Sequence, residues 1–249
     1  MKRAILLVLL LAASQPAATA PTEPEEKFTP TGILAVTSKD GSILRGQIFD
    51  FGRAKTSPTL FVLAPLGTPA RGLHFFLKEA KAQGLRVVLA DPRGQGMSMN
   101  TANGTKLSWH NFDKKEFEKF PDDLALMVAQ QQRPLFIMGF DQSATLAMLA
   151  AEKTVPDGLI LFSPDDHLRE LVVKPSAMSS TTAVFAVAGN EDSQRAALLL
   201  SWKEDFPRNR EAPVVITDTG SGIGLSSFQT STTLRKKIWQ WMATVARKK

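Results

Sequence analysis

Apolar residues fall along this chain in two rhythms. Thr59–Leu63, Leu85–Ala90, Arg133–Gly139, Gly158–Phe162, Thr182–Ala188 and Pro213–Thr217 are short runs, apolar at nearly every position. Such runs suit strands buried on both faces. The stretches between them predict helices. One covers about Arg71–Gln83, closed by Gly84 as a C-cap. The next starts at Phe120-Pro121-Asp122-Asp123, with Pro and Asp placed for a first turn, and continues to about Gln132. Others cover Ser143 to about Lys153, Ser193–Lys203 and Thr230–Lys248, the last with Leu234, Ile238, Trp241, Met242 and Val245 on one face. Upstream, Ile33–Thr37 and Ile43–Phe49 flank Asp40-Gly41, a hairpin signal. Leu168–Ser180 reads as a short excursion with one helical turn, and Met99–Lys119 has no clear period.

About six strand–helix alternations after an opening hairpin define an α/β chain. They call for a mostly parallel sheet with helices on both faces. In such sheets ligands and catalytic groups collect at the carboxyl ends of the strands. The turns rich in Gly or Asp fall at those ends.

The N-terminus stands apart. Lys2 and Arg3 precede the apolar run Ala4–Ala13, and Ala18-Thr19-Ala20 is an A-x-A pattern, so residues 1–20 read as a secretory signal peptide. Export to a periplasmic or extracellular space follows. Residues 21–32 hold three prolines and three glutamates and read as a disordered leader. Residues 33–249 form one domain of a size to hold a sizeable core. The chain has no cysteine, which excludes a disulfide framework, a metal thiolate and a cysteine nucleophile. The net charge is +6, or +4 without Lys2 and Arg3. Arg235-Lys236-Lys237 reads as a solvated helix face and Arg247-Lys248-Lys249 as a solvated end. No basic–aromatic interleaving suggests a nucleic-acid partner.

The turn after Arg133–Gly139 organises the rest. Gly139-Phe140-Asp141-Gln142-Ser143 lies between a strand and a helix, the layout of a nucleophile elbow with Asp141 at its tip. Asp91-Pro92-Arg93-Gly94-Gln95-Gly96-Met97-Ser98 fits D-x-R-G-x-G-x-S. Gly189–Asp192 fits G-x-x-D, and Gly220–Gly224 is a glycine-rich turn before the last helix. With these turns in this order, the chain resembles the α/β-hydrolase superfamily, close to its lidless esterase-like and lipase-like members. The resemblance implies an α/β-hydrolase fold. It places Asp141 as nucleophile and Asp192 as acid. It makes the backbone N–H groups of Leu66 or Gly67 and of Gln142 the oxyanion donors.

The base is missing. At the turn that carries the family's histidine this chain has Ile223, and no histidine follows His167. An Asp nucleophile needs no base to attack, as in family members similar to haloalkane dehalogenases, but it needs one to release product. His167, beside Asp165 and Asp166 at a strand end, is the candidate relocated base; His74 and His110 are the other histidines. Ser98, Ser143 and Ser163 are alternative nucleophiles, Asp192 also suits a helix cap, and Asp91 and Arg93 suit a structural turn. Three functions remain open: a divergent hydrolase of small esters or similar substrates, an inactive hydrolase-like binding module, and a membrane-surface accessory protein held by a retained N-terminal segment or by the basic C-terminus. The expected partner is a small-molecule substrate or ligand. No cofactor or metal motif is present.

Overall fold

The structure, a computed structural model, describes residues 26–52, 56–189, 191–206, 212–217 and 222–247. Its strands are β1 (Gly32–Thr37), β2 (Ser42–Asp50), β3 (Thr59–Leu63), β4 (Arg86–Ala90), β5 (Asn100–Thr101), β6 (Leu135–Phe140), β7 (Gly158–Phe162), β8 (His167–Leu168), β9 (Leu171–Val172), β10 (Ala183–Val187) and β11 (Val214–Ile216). Its α-helices are α1 (Leu77–Ala82), α2 (Lys114–Phe117), α3 (Phe120–Val128), α4 (Gln142–Thr154), α5 (Ser193–Trp202), α6 (Leu225–Thr230) and α7 (Thr232–Arg247).

The main sheet runs β1-β2-β4-β3-β6-β7-β10-β11, with β5 added against β2. β2 is antiparallel to both β1 and β4, and every pairing from β4 to β11 is parallel. Every residue of β3, β6, β7 and β10 is buried, as strands covered on both faces must be. Alternate side chains go to opposite layers. On one face Phe61, Leu63, Ile137, Leu159 and Leu161 pack with Leu124 and Met127 of α3, Leu146 and Ala150 of α4, and Leu199 of α5. On the other, Leu60, Val62, Phe136, Met138 and Ile160 pack with Leu73, Phe76, Phe228 and Ile238.

Several boundaries differ from the sequence expectation. The stretch expected as one helix from Arg71 is a 3-10 helix, Ala70–Phe76, followed by α1. Ala70, Leu73 and Phe76 are its buried residues, and that spacing of three matches three residues per turn. Gly84 closes the segment at φ +65°, its N–H bonded to the Lys81 carbonyl. The helix from Phe120 ends at Val128. The excursion after β7 is a two-stranded hairpin, β8–β9, then a 3-10 turn at Pro175–Ala177, leaving no space for a large lid.

The last helix is two. α6 ends at Thr230, and the Ser231 hydroxyl accepts the Leu234 N–H at 3.2 Å, which starts α7. Arg235 is buried rather than solvated. It donates to the Phe228 and Gln229 carbonyls at 2.6 and 2.8 Å and to Glu79 at 2.8 Å, so it satisfies the open end of α6. Lys236 and Lys237 are exposed, as expected.

The described part of the expected leader lies against the domain. Phe28 meets Phe51 edge-on at 5.6 Å, and the Thr31 N–H pairs with Ile48 at 2.7 Å. Residues 1–20, Gly220, Ser221 and the final two lysines lie outside the described residues.

Candidate active site

Asp141 follows β6 with φ 52° and ψ −123°, a strained left-handed position that Asp tolerates better than most residues. The turn is held from both sides. Gly139 has no side chain because α4 folds back over it: a Cβ there would lie 2.5 Å from the Ser143 carbonyl oxygen. The Ser143 hydroxyl accepts the Phe140 N–H at 2.8 Å and lies 3.0 Å from the Leu63 carbonyl, to which it donates. Ser143 is therefore a buried tie and not a displaced nucleophile. Ser98 and Ser163 are also committed. The Ser98 hydroxyl donates to the Asp91 carbonyl, and Ser163 accepts the Gly224 N–H at 3.1 Å.

Asp141 faces the start of α6. A Cβ at Gly224 would overlap the Asp141 carboxylate, and the Leu225 N–H donates to it. Gly224 has φ 50° and ψ −119°, nearly the backbone angles of Asp141 itself. Burial pushes the Asp141 carboxyl above the usual range, and the Asp192 charge pushes the same way. Arg195 and the Leu225 N–H pull against them.

Asp192 is 6% exposed and immediately precedes α5. Its side chain does not cap that helix. Both carboxylate oxygens instead lie 3.5 Å from Arg195. Arg195 also donates to Asp165 at 3.1 Å. Elbow and acid are thus brought together, with a guanidinium among three carboxylates. Arg195 has only a faint trace in the sequence, as a cation three residues after the expected acid.

The histidines are elsewhere. All three are among the described residues. His167 begins β8 with its side chain 58% exposed. Its Nδ1 bonds Asp166, which holds the imidazole above its ordinary value, and lies 3.9 Å from Asp165. His74 bonds Gln47 at 3.1 Å and meets Phe49 edge-on; burial pushes its pKa down. His110 stacks on Trp109. Ile223 is 42% exposed, and its backbone is closed by the Ser226 hydroxyl. Asp165, Asp166 and His167 each offer one ligand atom within 4.8 Å of the others, a metal-type grouping that the sequence reading did not expect. Its Asp165 is already ion-paired to Arg195.

The β3 turn is stapled by a side chain that sequence reading missed. Gln95 accepts the Gly67 N–H at 2.9 Å and donates to the Pro65 and Thr68 carbonyls at 3.0 and 3.2 Å. This removes Gly67 as an oxyanion donor. Among the described residues, the N–H groups of Leu66 and Gln142 make no hydrogen bond.

One pH effect follows from the Asp141 environment. A carboxyl whose folded pKa lies above its unfolded one costs stability as pH rises from the ordinary carboxylate range to the raised value. Asp141→Asn removes that cost. The variant is expected to melt above wild type at neutral pH, with the gap closing on acidification; thermal melts across pH check this. A constant gap would show that Asp141 does not titrate abnormally.

The sheet order, the opening antiparallel hairpin and the strained residue between β6 and α4 define the α/β-hydrolase fold. No known family profile and no curated protein matches the chain by sequence. Solved structures do. An esterase from Pyrococcus furiosus aligns at 14% identity over 92% of this chain and 96% of its own, with a TM-score of 0.62. A thermostable carboxyl esterase from Bacillus coagulans aligns at 12% identity over 86% of this chain and 98% of its own, TM-score 0.65. A soluble variant of the monoglyceride lipase of Saccharomyces cerevisiae aligns at 12% identity over 92% and 98%, TM-score 0.62. At these identities the likeness is one of fold.

Proposed function

We propose that this protein is an α/β-hydrolase-fold binding protein in which turnover through nucleophile, acid and histidine has been lost. The observation that carries this reading is the partner of Asp192, which is Arg195 where hydrolysis needs an imidazole. A guanidinium stays protonated at working pH and cannot accept the proton of an attacking water. The half-buried Asp141 carboxyl is raised in pKa by desolvation, which disfavours its ionised form, and its bond to the Leu225 N–H holds it away from a substrate carbon. General-base help is worth roughly a hundred- to ten-thousand-fold in rate. The pattern of Met1–Ala20 supports export. Among the described residues no helix is long and apolar enough to cross a membrane.

A second reading, a divergent hydrolase with Asp141 as nucleophile, is favoured by the retained elbow backbone and by the unbonded N–H groups of Leu66 and Gln142. Attack by the carboxylate would open an epoxide to a hydroxyalkyl enzyme ester, or expel p-nitrophenolate from a p-nitrophenyl ester to leave a mixed anhydride, and a water would have to cleave either. The test is turnover of short p-nitrophenyl esters and simple epoxides by wild type, Asp141→Ala and His167→Ala, with intact mass measured after mixing. The binding reading expects equal background rates and no added mass. Turnover lost in Asp141→Ala would overturn it, and loss in His167→Ala would make His167 the base. A single adduct on Asp141 without turnover would show that attack survives and release does not.

A further inference from the structure

The D-x-R-G-x-G-x-S turn does more than shape itself. It floors an open groove of about 620 Å³, within the range of small-molecule sites, and Asp141 is not in its lining. One wall is Trp109 and His110, whose rings lie 3.9 Å apart at 31°. Gly67 lies against the Trp109 ring, where a Cβ would come 3.7 Å from it, and Pro69, Arg71, Met97 and Met99 complete the lining, the methionines with adaptable apolar surface.

The walls are fixed by the two glycines of the motif. The Trp109 N–H donates to the Gly94 carbonyl at 3.1 Å. A Cβ on Gly94 would lie 2.6 Å from the Trp109 nitrogen and 2.7 Å from the Phe112 ring, so only Gly lets this loop seat against the turn. A Cβ on Gly96 would overlap the Asp91 carboxylate. Asp91 is the acidic side chain in the lining, and both its oxygens are committed: to the Ala70 N–H at 2.7 Å and the Met97 N–H at 2.9 Å. Burial pushes its carboxyl up, while the Met97 and Ala70 N–H groups and the Arg71 charge pull it down. Arg71 is exposed at the rim and, among the described residues, makes no hydrogen bond or ion pair. The groove therefore has an aromatic wall, methionine surface and one exposed guanidinium that attracts Asp91 without pairing with it.

We infer that this groove binds a planar apolar monoanion, such as an aromatic carboxylate, with its ring against Trp109 and its carboxylate on Arg71. Indole faces favour flat rings, and guanidinium favours the two oxygens of a carboxylate. The groove gives the binding reading a location and a ligand class. It does not depend on the state of the elbow, so a positive turnover assay would leave it standing.

The test is isothermal titration calorimetry with 2-naphthoate and its neutral counterpart 2-naphthylmethanol. Wild type is expected to bind the carboxylate at least about tenfold tighter than the alcohol. Arg71→Gln should bring the carboxylate to the affinity of the alcohol and leave the alcohol unchanged. Trp109→Ala should weaken both by about tenfold or more. Asp141→Ala should change neither. Arg71 is an exposed residue, so its variant tests the proposal even if Trp109→Ala fails to fold. The inference is overturned if neither probe binds wild type, if Arg71→Gln binds naphthoate as wild type does, or if Asp141→Ala abolishes binding.

Discussion

Asp123→Ala is expected to destabilise the protein by about 3–5 kcal/mol, the usual cost of removing one member of a buried ion pair. For a chain of this size that lowers the melting temperature by roughly 6–20 °C. The charge left behind is Arg93, whose side chain is 2% exposed. Its Nε and one terminal nitrogen donate to the two oxygens of Asp123 at 2.6 and 2.8 Å. The other terminal nitrogen donates to Asp40 at 2.6 Å and to the Ser42 hydroxyl at 2.7 Å. One guanidinium thus ties the turn after β4 to the β1–β2 hairpin and to the first turn of α3. Burial pushes the Asp40 carboxyl up, but hydrogen bonds from Arg93, Ser38, Lys119 and the Ser42 N–H outweigh it and hold it well below the carboxylate range. Arg93→Met added to Asp123→Ala should recover much of the loss, because the buried guanidinium with two unfilled donors goes with it, while Asp40 keeps Lys119, Ser38 and the Ser42 N–H. Thermal denaturation of both variants decides the point. A double variant no better than Asp123→Ala would mean that packing, rather than the unfilled donors, sets the cost.

Gly139→Ala is the second large effect, expected at about 3 kcal/mol, the upper end for overpacking. The added carbon meets main chain, at 2.5 Å from the Ser143 oxygen and 2.7 Å from the Ala144 Cα. No rotamer change relieves such an overlap. Either α4 lifts from β6 or the turn opens, and both break the Ser143 hydrogen bonds to Phe140 and Leu63. Denaturant melts should show a lower midpoint, and hydrogen exchange should rise first at Phe140 and the first turn of α4. A variant as stable as wild type would mean that the elbow is loosely held.

The interior strands are legible in the sequence because all-apolar runs in an α/β chain have few other uses. Thr59–Leu63 and Gly158–Phe162 match their expected bounds. What sequence reading misses is set by contacts across the fold. The 3-10 turn at Ala70–Phe76 is anchored at its start across the fold, where the Asp91 carboxylate takes the Ala70 N–H. The burial of Arg235 depends on the exposed carbonyls of α6. In the site, Asp141 is readable from strand, turn and helix. Its partner at the Leu225 N–H, the engagement of Asp192 by Arg195 and the Gln95 staple are not, because each depends on which loops meet at the strand ends. The proximity of His167 to Asp165 and Asp166 is a sequence fact, whereas its outward exposure depends on the small β8–β9 hairpin.

The placement of β6 also governs how the chain reaches this structure. It lies between β3 and β7, with Thr59 opposite Leu135 on one side and Gly158 opposite Phe136 on the other. The first of these pairings closes a loop that contains the whole of β4 and α3. Such long closures carry a high entropic cost before any contact rewards them, and parallel sheets built this way fold slowly. A nascent chain emerging from its N-terminus can form the β1–β2 hairpin early, but β3 has an open edge until β6 arrives. The residue that most defines the site therefore sits on the strand that completes the centre of the sheet, and the elbow should be among the last features to gain protection during refolding.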